Sequence, residues 1–430
     1  MSPNLFKNVA FQDLTPVAPV VTVGFGTTVA MWAVGYFCRL PAILMPSPIV
    51  LVLLLGCLFG GGYVLGRVGG AGTFAGGAAG LVTGVLNLLI LGSLLAGDDP
   101  GRVIPSALWW LPGSILVSVA LAATGASVGS RQTTARPEGV NWLSAFAWVA
   151  VSATALLLAA GGLVTSAEAG LAVDDWPTSF GYNMFLYPLS KMTGGVYYEH
   201  AHRLLGALVG LTTVVLALVV QTTAKQGWIK LWAWLAVPTV IVQGILGGIR
   251  VTDRNLALAM VHGVLAQLFF AGLVALAVFT SSRWSRSGEP LRRATAGTDR
   301  SMGLVLIAFT VAQLVLGASQ RHFKDLLLVH LVLGLSIVVP LALFMGVRAW
   351  GLNIGQPFLQ RLGQALVAVI SMQVLLGFGA LVVTSAADAG ALSRGWDLSI
   401  ATAHQWFGAI VLALTVVLVC WNYKLLAPPE

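Results

Sequence analysis

The stretch DLLLVHLVLGLSIVVPLALFMGV, residues 325–347, decides the fold. As a helix it is long enough to cross a hydrocarbon core of about 30 Å, yet it carries an ionisable group, His330, well inside its apolar run. Comparable runs recur at 17–38, 48–66, 72–96, 106–129, 142–165, 201–222, 229–249, 256–280, 302–320, 364–386 and 400–421, of which the second and third are short or Gly-rich. The 430-residue chain is 57% hydrophobic and 9% charged, with a mean hydropathy of +0.89, whereas a soluble domain carries about 25% charged residues. The sequence therefore predicts an all-α polytopic membrane protein with about twelve transmembrane helices.

The net charge of +8 is not a nucleic-acid footprint, because Arg and Lys concentrate in alternate loops, and this bias orients the chain. One set holds Arg131, Arg136, Lys225, Lys230, Arg283, Arg286, Arg292, Arg293, Arg300, Arg348, Arg361 and Lys424. The opposite loops after residue 140 hold Lys191, Arg250, Arg254, Arg321, Lys324 and Arg394. Twelve against six predicts both termini in the cytoplasm. Residues 1–16 carry one Lys, one Asp and no Arg, which fits neither a secretory signal nor a transit peptide, so a bacterial plasma membrane is the expected home. Cys38, Cys57 and Cys420 lie in or at the ends of apolar runs and read as small hydrophobes.

Three parts are expected: an N-terminal four-helix membrane extension (1–136) and two halves of an eight-helix core (137–285 and 286–430), each a four-helix bundle. The halves repeat one another. In the even core helices, a histidine is followed four residues later by a small residue: His202 and Gly206, His262 and Ala266, His330 and Gly334, His404 and Gly408. In the odd helices, Gln243 precedes Gly247, Gln313 precedes Gly317 and Gln373 precedes Gly377 at the same spacing, with Leu157 and Gly161 in the matching places of the first. Val164–Gly170 and Val383–Gly390, at the exits of the first and seventh core helices, also resemble each other.

Ionisable groups inside a membrane are rare and expensive, and mark function by default. By the charge bias, all four histidines fall roughly three to seven residues inside the outer boundary, or ~5–10 Å deep at 1.5 Å per residue. Same-direction helices sit diagonally across an up-down bundle, roughly 11–14 Å apart when neighbours are 8–10 Å apart. That gap suits a porphyrin iron between two imidazoles. A small residue one turn below each ring is expected to clear space for the macrocycle. This geometry predicts one haem between His202 and His262 and another between His330 and His404. Arg203, Arg250, Arg254, Arg321 and Lys324, at the same surface, are candidate cations for the haem propionates. Taken singly, an intramembrane histidine reads as a helix contact or a proton relay. His200 and His322 lie outside the repeat and read as surface or supporting groups.

The halves are not equivalent. Glu199 lies three residues before His202 on the same helix face, where Leu327 precedes His330 and Ala401 precedes His404. A carboxylate beside one site only reads either as an acid/base or electrostatic group, or as a partner of Arg203. The outer loop at about 166–198 is the longest between core spans and carries Asp174-Asp175-Trp176-Pro177, Phe180, Tyr182, Phe185, Tyr187, Tyr197 and Tyr198. It reads as a cover for a large lipophilic ligand or as an interfacial aromatic belt.

The segment Glu199-His-Ala-His-Arg-Leu-Leu-Gly206 resembles the Glu-x-x-His-Arg signature of the haem A synthase family. Gly161-Gly-Leu-Val-Thr-Ser166 with Trp176-Pro177, and Ala259-Met-Val-His262 through Gln267-Leu-Phe-Phe270, resemble that family's first and fourth helices and outer loop. The similarity covers roughly residues 140–423. It implies an enzyme that oxidises the C8 methyl of haem o to the formyl of haem a for terminal oxidases. It further implies that His202 and His262 bind the substrate haem, that Glu199 is the catalytic carboxylate, and that His330 and His404 hold a haem b that relays electrons. A haem o-supplying farnesyltransferase and an electron donor are the implied partners, within the lipid bilayer. The outer loop lacks the cysteine pair of many members, and the extension at 1–136 has no counterpart in the resemblance.

Two other readings stand beside this one. A dihaem b-type electron-transfer subunit would use the same ligands without needing Glu199. A transporter would use the histidines as proton relays and bind no haem.

Overall fold

The computed structural model describes residues 17–92, 104–132, 139–353, 355–388 and 394–429. Arg136, residues 93–96 of the third run and the end of the Val383–Gly390 repeat lie outside them. Among the described residues, twelve helices are long and apolar enough to cross a membrane. They are α1 (Val17–Cys38), α2 (Ser47–Gly69), α3 (Thr73–Leu91), α4 (Ala107–Arg131), α5 (Trp142–Ser166), α6 (Gly194–Thr223), α7 (Gly227–Thr252) and α8 (Leu256–Phe279). They continue with α9 (Ala296–Phe323), α10 (Leu327–Leu352), α11 (Pro357–Asp388) and α12 (Arg394–Leu425). Each coincides with an apolar run, so the protein is all-α and polytopic.

Several helices outrun their apolar stretches, because helix formation continues through polar residues once the apolar part has nucleated it. α6 begins at Gly194 and α12 at Arg394. His202, His262, His330 and His404 are consequently the ninth, seventh, fourth and eleventh residues of their helices. α10 widens into a π-helical turn at Gly334–Val338, one turn below His330.

The chain divides into two compact units. The first holds residues up to 156 together with 172–237; the second holds 157–171 and 238 onward.

In the first unit, α2, α3 and α4 pack through small residues. A Cβ on Gly62 or Gly66 of α2 would overlap the backbone at Ala122 or Ala126 of α4. Gly125 and Gly129 of α4 press in turn on the backbone at Phe59 and Tyr63, and Gly76 and Gly80 of α3 press on α4. Backbone approach of this kind is the main source of helix association in lipid, where burial offers little. α1 is tied to α3 by Trp32 Nε1 donating to Asn87 Oδ1 (3.0 Å) and by Thr83 Oγ1 donating to the Gly24 carbonyl (3.0 Å). Its Phe25 ring meets Phe146 of α5 edge-on at 5.4 Å.

In the second unit, α9, α10 and α12 are joined at one end by polar contacts. Arg348 pairs with Asp299, Arg293 donates to Asn353 Oδ1 (3.1 Å), and Arg300 donates to the Tyr423 and Leu426 carbonyls. Leu291–Arg292 forms a short parallel ladder with Leu426–Ala427. The Arg-rich segment between the two sets of core helices therefore also fastens the end of α12.

Candidate functional site

In the first unit, the N-terminal part of α6 carries Glu199, His202 and Arg203 on one face. Glu199 is only 2% exposed. Its Oε1 accepts from Arg203 Nε at 3.2 Å, one turn along the helix. The rest of the Arg203 fork reaches the outer loop: Nη1 donates to the Asp175 and Thr178 carbonyls (2.7 and 2.9 Å), and Nη2 to the Val173 carbonyl (2.8 Å). Four of its five N–H groups are engaged in this way, so Arg203 is first a clamp between helix and loop. The pairing of Glu199 with Arg203, one of the two sequence readings, is present. A buried carboxylate held in this manner is also oriented, as acid/base work requires.

The loop has a built interior. Thr178–Ser179 and Tyr182–Asn183 form a short hairpin. Asp175 organises its turn, accepting from the Phe180 and Gly181 N–H groups (2.7 Å each) and the Thr178 hydroxyl (2.6 Å). Partial burial favours the neutral carboxyl, but these three hydrogen bonds outweigh it and hold Asp175 below the usual carboxylate range. Burial, with Tyr182 nearby, pushes the Tyr187 phenol up. His200 is fully buried, which fits a supporting group and not a surface one, the two roles expected of it. Its Nδ1 lies 3.1 Å from Ser179 Oγ and its ring 5.0 Å from that of Tyr187. One turn of α6 thus sends His200 and Arg203 into the loop. His202 is half-buried, and a Cβ on Gly206 would meet nothing within 4 Å.

The second unit carries His262, His330 and His404. Gln243 Nε2 donates to the His262 carbonyl (2.7 Å), and His262 Nδ1 lies 3.1 Å from the Gln243 carbonyl. Gln313 Nε2 donates likewise to the His330 carbonyl (2.9 Å) and reaches Nδ1 and Nε2 of that ring at 3.1 and 3.4 Å. His404 Nδ1 has no hydrogen-bond partner among the described residues. Two sequence motifs that looked parallel therefore mate across consecutive helices.

This mating corrects the expected purpose of two of the four small residues, Gly334 and Gly408, while the space over Gly206 stays open. The space over Gly334 is taken by Gln313, whose Nε2 lies 2.7 Å from where a Cβ would stand, and that over Gly408 by Gln373 (3.4 Å). The glycines that accommodate the rings are Gly247, Gly317 and Gly377, where a Cβ would stand 3.0, 3.0 and 2.9 Å from the Cε1 of His262, His330 and His404.

His330 and His404 face each other with ring centroids 6.3 Å apart and planes at 85°. An imidazole–metal bond of about 2.0–2.1 Å, plus about 1.1 Å from nitrogen to centroid, spans about 6.3 Å when two imidazoles flank one metal. No cluster of three or more His, Cys, Asp or Glu exists among the described residues. A bare zinc ion would ask for three or four protein ligands, whereas a metal already held by a macrocycle asks for two at most. The separation of the two rings is therefore the one that a haem iron between two imidazoles requires. Among the expected propionate cations, Arg321 donates to the Thr165 carbonyl (2.7 Å), while Arg254 and Lys324 are exposed.

The structure brings together Glu199 with Arg203, and His330 with His404; His202 lies in the first unit and His262 in the second. Sequence reasoning missed Asp175, the burial of His200 and the Gln–His exchange. The shared four-residue spacing in consecutive helices was the available signal for that exchange.

Residues 181–331 match the family model COX15-CtaA, cytochrome oxidase assembly protein. A curated protein named Heme A synthase from Oceanobacillus iheyensis is 26% identical over 135 residues, which is 31% of this chain and 43% of that protein. The chain thus spans less than half the length of the relative it matches. No solved structure matches. The segment that the family model matches contains Glu199, His202, Arg203, His262 and His330.

Proposed function

We propose that this protein is a haem A synthase, oxidising the C8 methyl of haem o to the formyl group of haem a. The observation that carries the reading is Glu199: a carboxylate buried at the outer end of α6, fixed by Arg203, one turn from a repeat histidine that alone has such a neighbour. His202 and, by the sequence repeat, His262 are assigned to the substrate haem. His330 and His404 are assigned to a resident haem b, which supplies one-electron relay when bound. Arg203 acts mainly as a positioning residue, with its remaining N–H available to a haem carboxylate.

The conversion is a four-electron oxidation, read as two hydroxylations of one carbon, each taking one dioxygen and two electrons from the donor and releasing one water, followed by loss of water from the resulting gem-diol. In that last step Glu199 takes the proton from one hydroxyl and returns it to the departing one, a general acid–base role suited to a single oriented carboxylate. The loop held by Arg203 and Asp175 keeps bulk water from that carbon. The setting is a bacterial plasma membrane with both termini in the cytoplasm, and the partners are a haem o-supplying farnesyltransferase and an electron donor.

The test is extraction and chromatography of bound haems after co-expression with a haem o-producing farnesyltransferase. Haem a, or its hydroxylated precursor, with haem b is the expected result. Glu199→Ala should abolish haem a while both haem positions stay filled. Two equivalents of haem b and no haem a would instead establish a dihaem electron-transfer subunit.

A further inference from the structure

Where α8 and α12 finish and α11 begins, four aromatic rings of the second unit pack together. Trp284, just past α8, has its ring centroid 5.0 Å from that of Phe279 on α8 and 5.1 Å from that of Trp421 on α12. Trp421 in turn lies 4.8 Å from Phe358, near the start of α11. Trp421 is only 2% exposed, so the rings form a packed block and not a loose fringe in the lipid.

Two cations rest on this block. Arg283 holds its guanidinium carbon 4.3 Å from the Phe358 centroid, and Lys424 holds its Nζ 5.6 Å from that of Trp284. The backbone beneath them is fixed as well. The Ser281 hydroxyl oxygen accepts from the Trp284 N–H (3.2 Å), the Arg286 N–H donates to the Ser282 carbonyl (3.0 Å), and the Ser287 hydroxyl donates to the Trp284 carbonyl (2.9 Å). Arg283 and Arg286 are thus set three residues apart along one helical turn, both exposed.

The basic residues at this end divide into two groups. Arg293, Arg300 and Arg348 are engaged within the protein, on Asn353, on the Tyr423 and Leu426 carbonyls and on Asp299. Arg283, Arg286 and Lys424 pair with no carboxylate among the described residues, and the nearby Glu289 is exposed and pairs with none of them. Like charges held close together repel, so fixing three of them on one block fits an anion that comes from outside the chain. At the ends of membrane-spanning helices the anion at hand is the phosphodiester of a lipid. Aromatic rings favour that same interfacial zone, and basic clusters flanking a span take acidic head groups. Guanidinium forks also match phosphate oxygens in geometry.

We propose that Arg283, Arg286 and Lys424, seated on the Trp284–Trp421–Phe358 block, bind the head group of an anionic phospholipid such as phosphatidylglycerol. The site shares no residue with the histidine pairs and stands independently of what those hold.

The test uses the full-length protein in detergent, stripped of lipid and titrated with phosphatidylglycerol or phosphatidylcholine, with bound lipid read by native mass spectrometry. Each basic residue strengthens attachment to an anionic lipid about fivefold. The triple variant Arg283→Gln, Arg286→Gln, Lys424→Gln should therefore lose roughly 100-fold in affinity for phosphatidylglycerol, and little for phosphatidylcholine. Arg131→Gln, Lys225→Gln, Lys230→Gln, which removes the same charge from the first unit, should bind as the native protein does. Arg283→Lys with Arg286→Lys keeps the charge and should retain most of the preference, which separates lost binding from lost folding. Equal affinity of the native protein for the two lipids would overturn the inference, as would equal losses in the two triple variants. Displacement of the lipid by millimolar inorganic phosphate would overturn it in favour of a soluble phosphate ligand.

Discussion

Tyr197 donates its hydroxyl to the backbone carbonyl of Tyr36 at 2.7 Å, and the two rings stack at 5.7 Å with planes 12° apart. Tyr36 is on α1 and Tyr197 is on α6, two residues before Glu199. The extension that the family resemblance leaves unexplained therefore grips the helix end that carries the candidate carboxylate. At the end of α3, a Cβ on Gly92 would stand 2.8 Å from the Phe185 carbonyl, a second contact of the extension with the outer loop.

Tyr197→Phe keeps the stacked ring and loses one hydrogen bond, for a cost of about 1 kcal/mol. Tyr197→Ala also removes the packing, for about 3–5 kcal/mol. The expected outcome is near-normal haem a formation in the first variant and a marked loss in the second, with the haem b of His330 and His404 retained in both. Thermal unfolding and haem extraction on the same samples check this. Equal haem a yields in the two variants would show that the grip of α1 on α6 does not serve the site.

Arg203 joins a buried carboxylate to three loop carbonyls, so its removal breaks a buried ion pair and releases the loop from α6. Arg203→Ala should cost roughly 3–5 kcal/mol. Arg203→Lys should rescue little, because an ammonium cannot reproduce the planar fork. Limited proteolysis should cut between residues 167 and 193 in both variants and leave that segment intact in the native protein.

Asp175 gives the loop a pH dependence whose sign follows from its lowered pKa. A carboxylate whose folded pKa is depressed stabilises fully above its unfolded value, and this contribution is lost as pH falls through the folded value. The difference in Tm between the native protein and Asp175→Asn should be constant near neutral pH. It should start to narrow below about pH 4, the ordinary aspartate value. A difference that instead grew on acidification would remove Asp175 as the organiser of this turn.

The twelve spans were legible because a membrane helix writes itself as an apolar run of fixed length, which local sequence records directly. The ends were less legible: α6 and α12 continue through Gly194–Tyr198 and Arg394–Ser399, polar or mixed turns outside the apolar runs. The histidines stood out because charge is costly in lipid. Their partners did not, because a glutamine bonding through its backbone carbonyl looks like any other in sequence. Gly334 and Gly408 were read as space for a ligand because i and i+4 share a face; the occupant proved to be the glutamine of the preceding helix. Arg203 was read for its charge, whereas four backbone and side-chain oxygens had already claimed its geometry.

The 85° angle between His330 and His404 has its own spectroscopic consequence. Parallel axial imidazoles split the iron d-orbitals strongly and give an ordinary rhombic low-spin ferric spectrum. Perpendicular ones leave two of those orbitals nearly degenerate and give a highly anisotropic signal with a large maximum g-value. The haem b held by this pair should show the second kind. His330→Ala and His404→Ala should each remove that signal, because a metal held at the centre of a 6.3 Å gap loses its low-spin state when either imidazole goes. The haem assigned to His202 should persist in both variants, since its ligands lie on other helices. An ordinary rhombic spectrum from the haem b would mean that the rings turn by a large angle when the haem binds, and the preset angle of these two histidines would then be wrong.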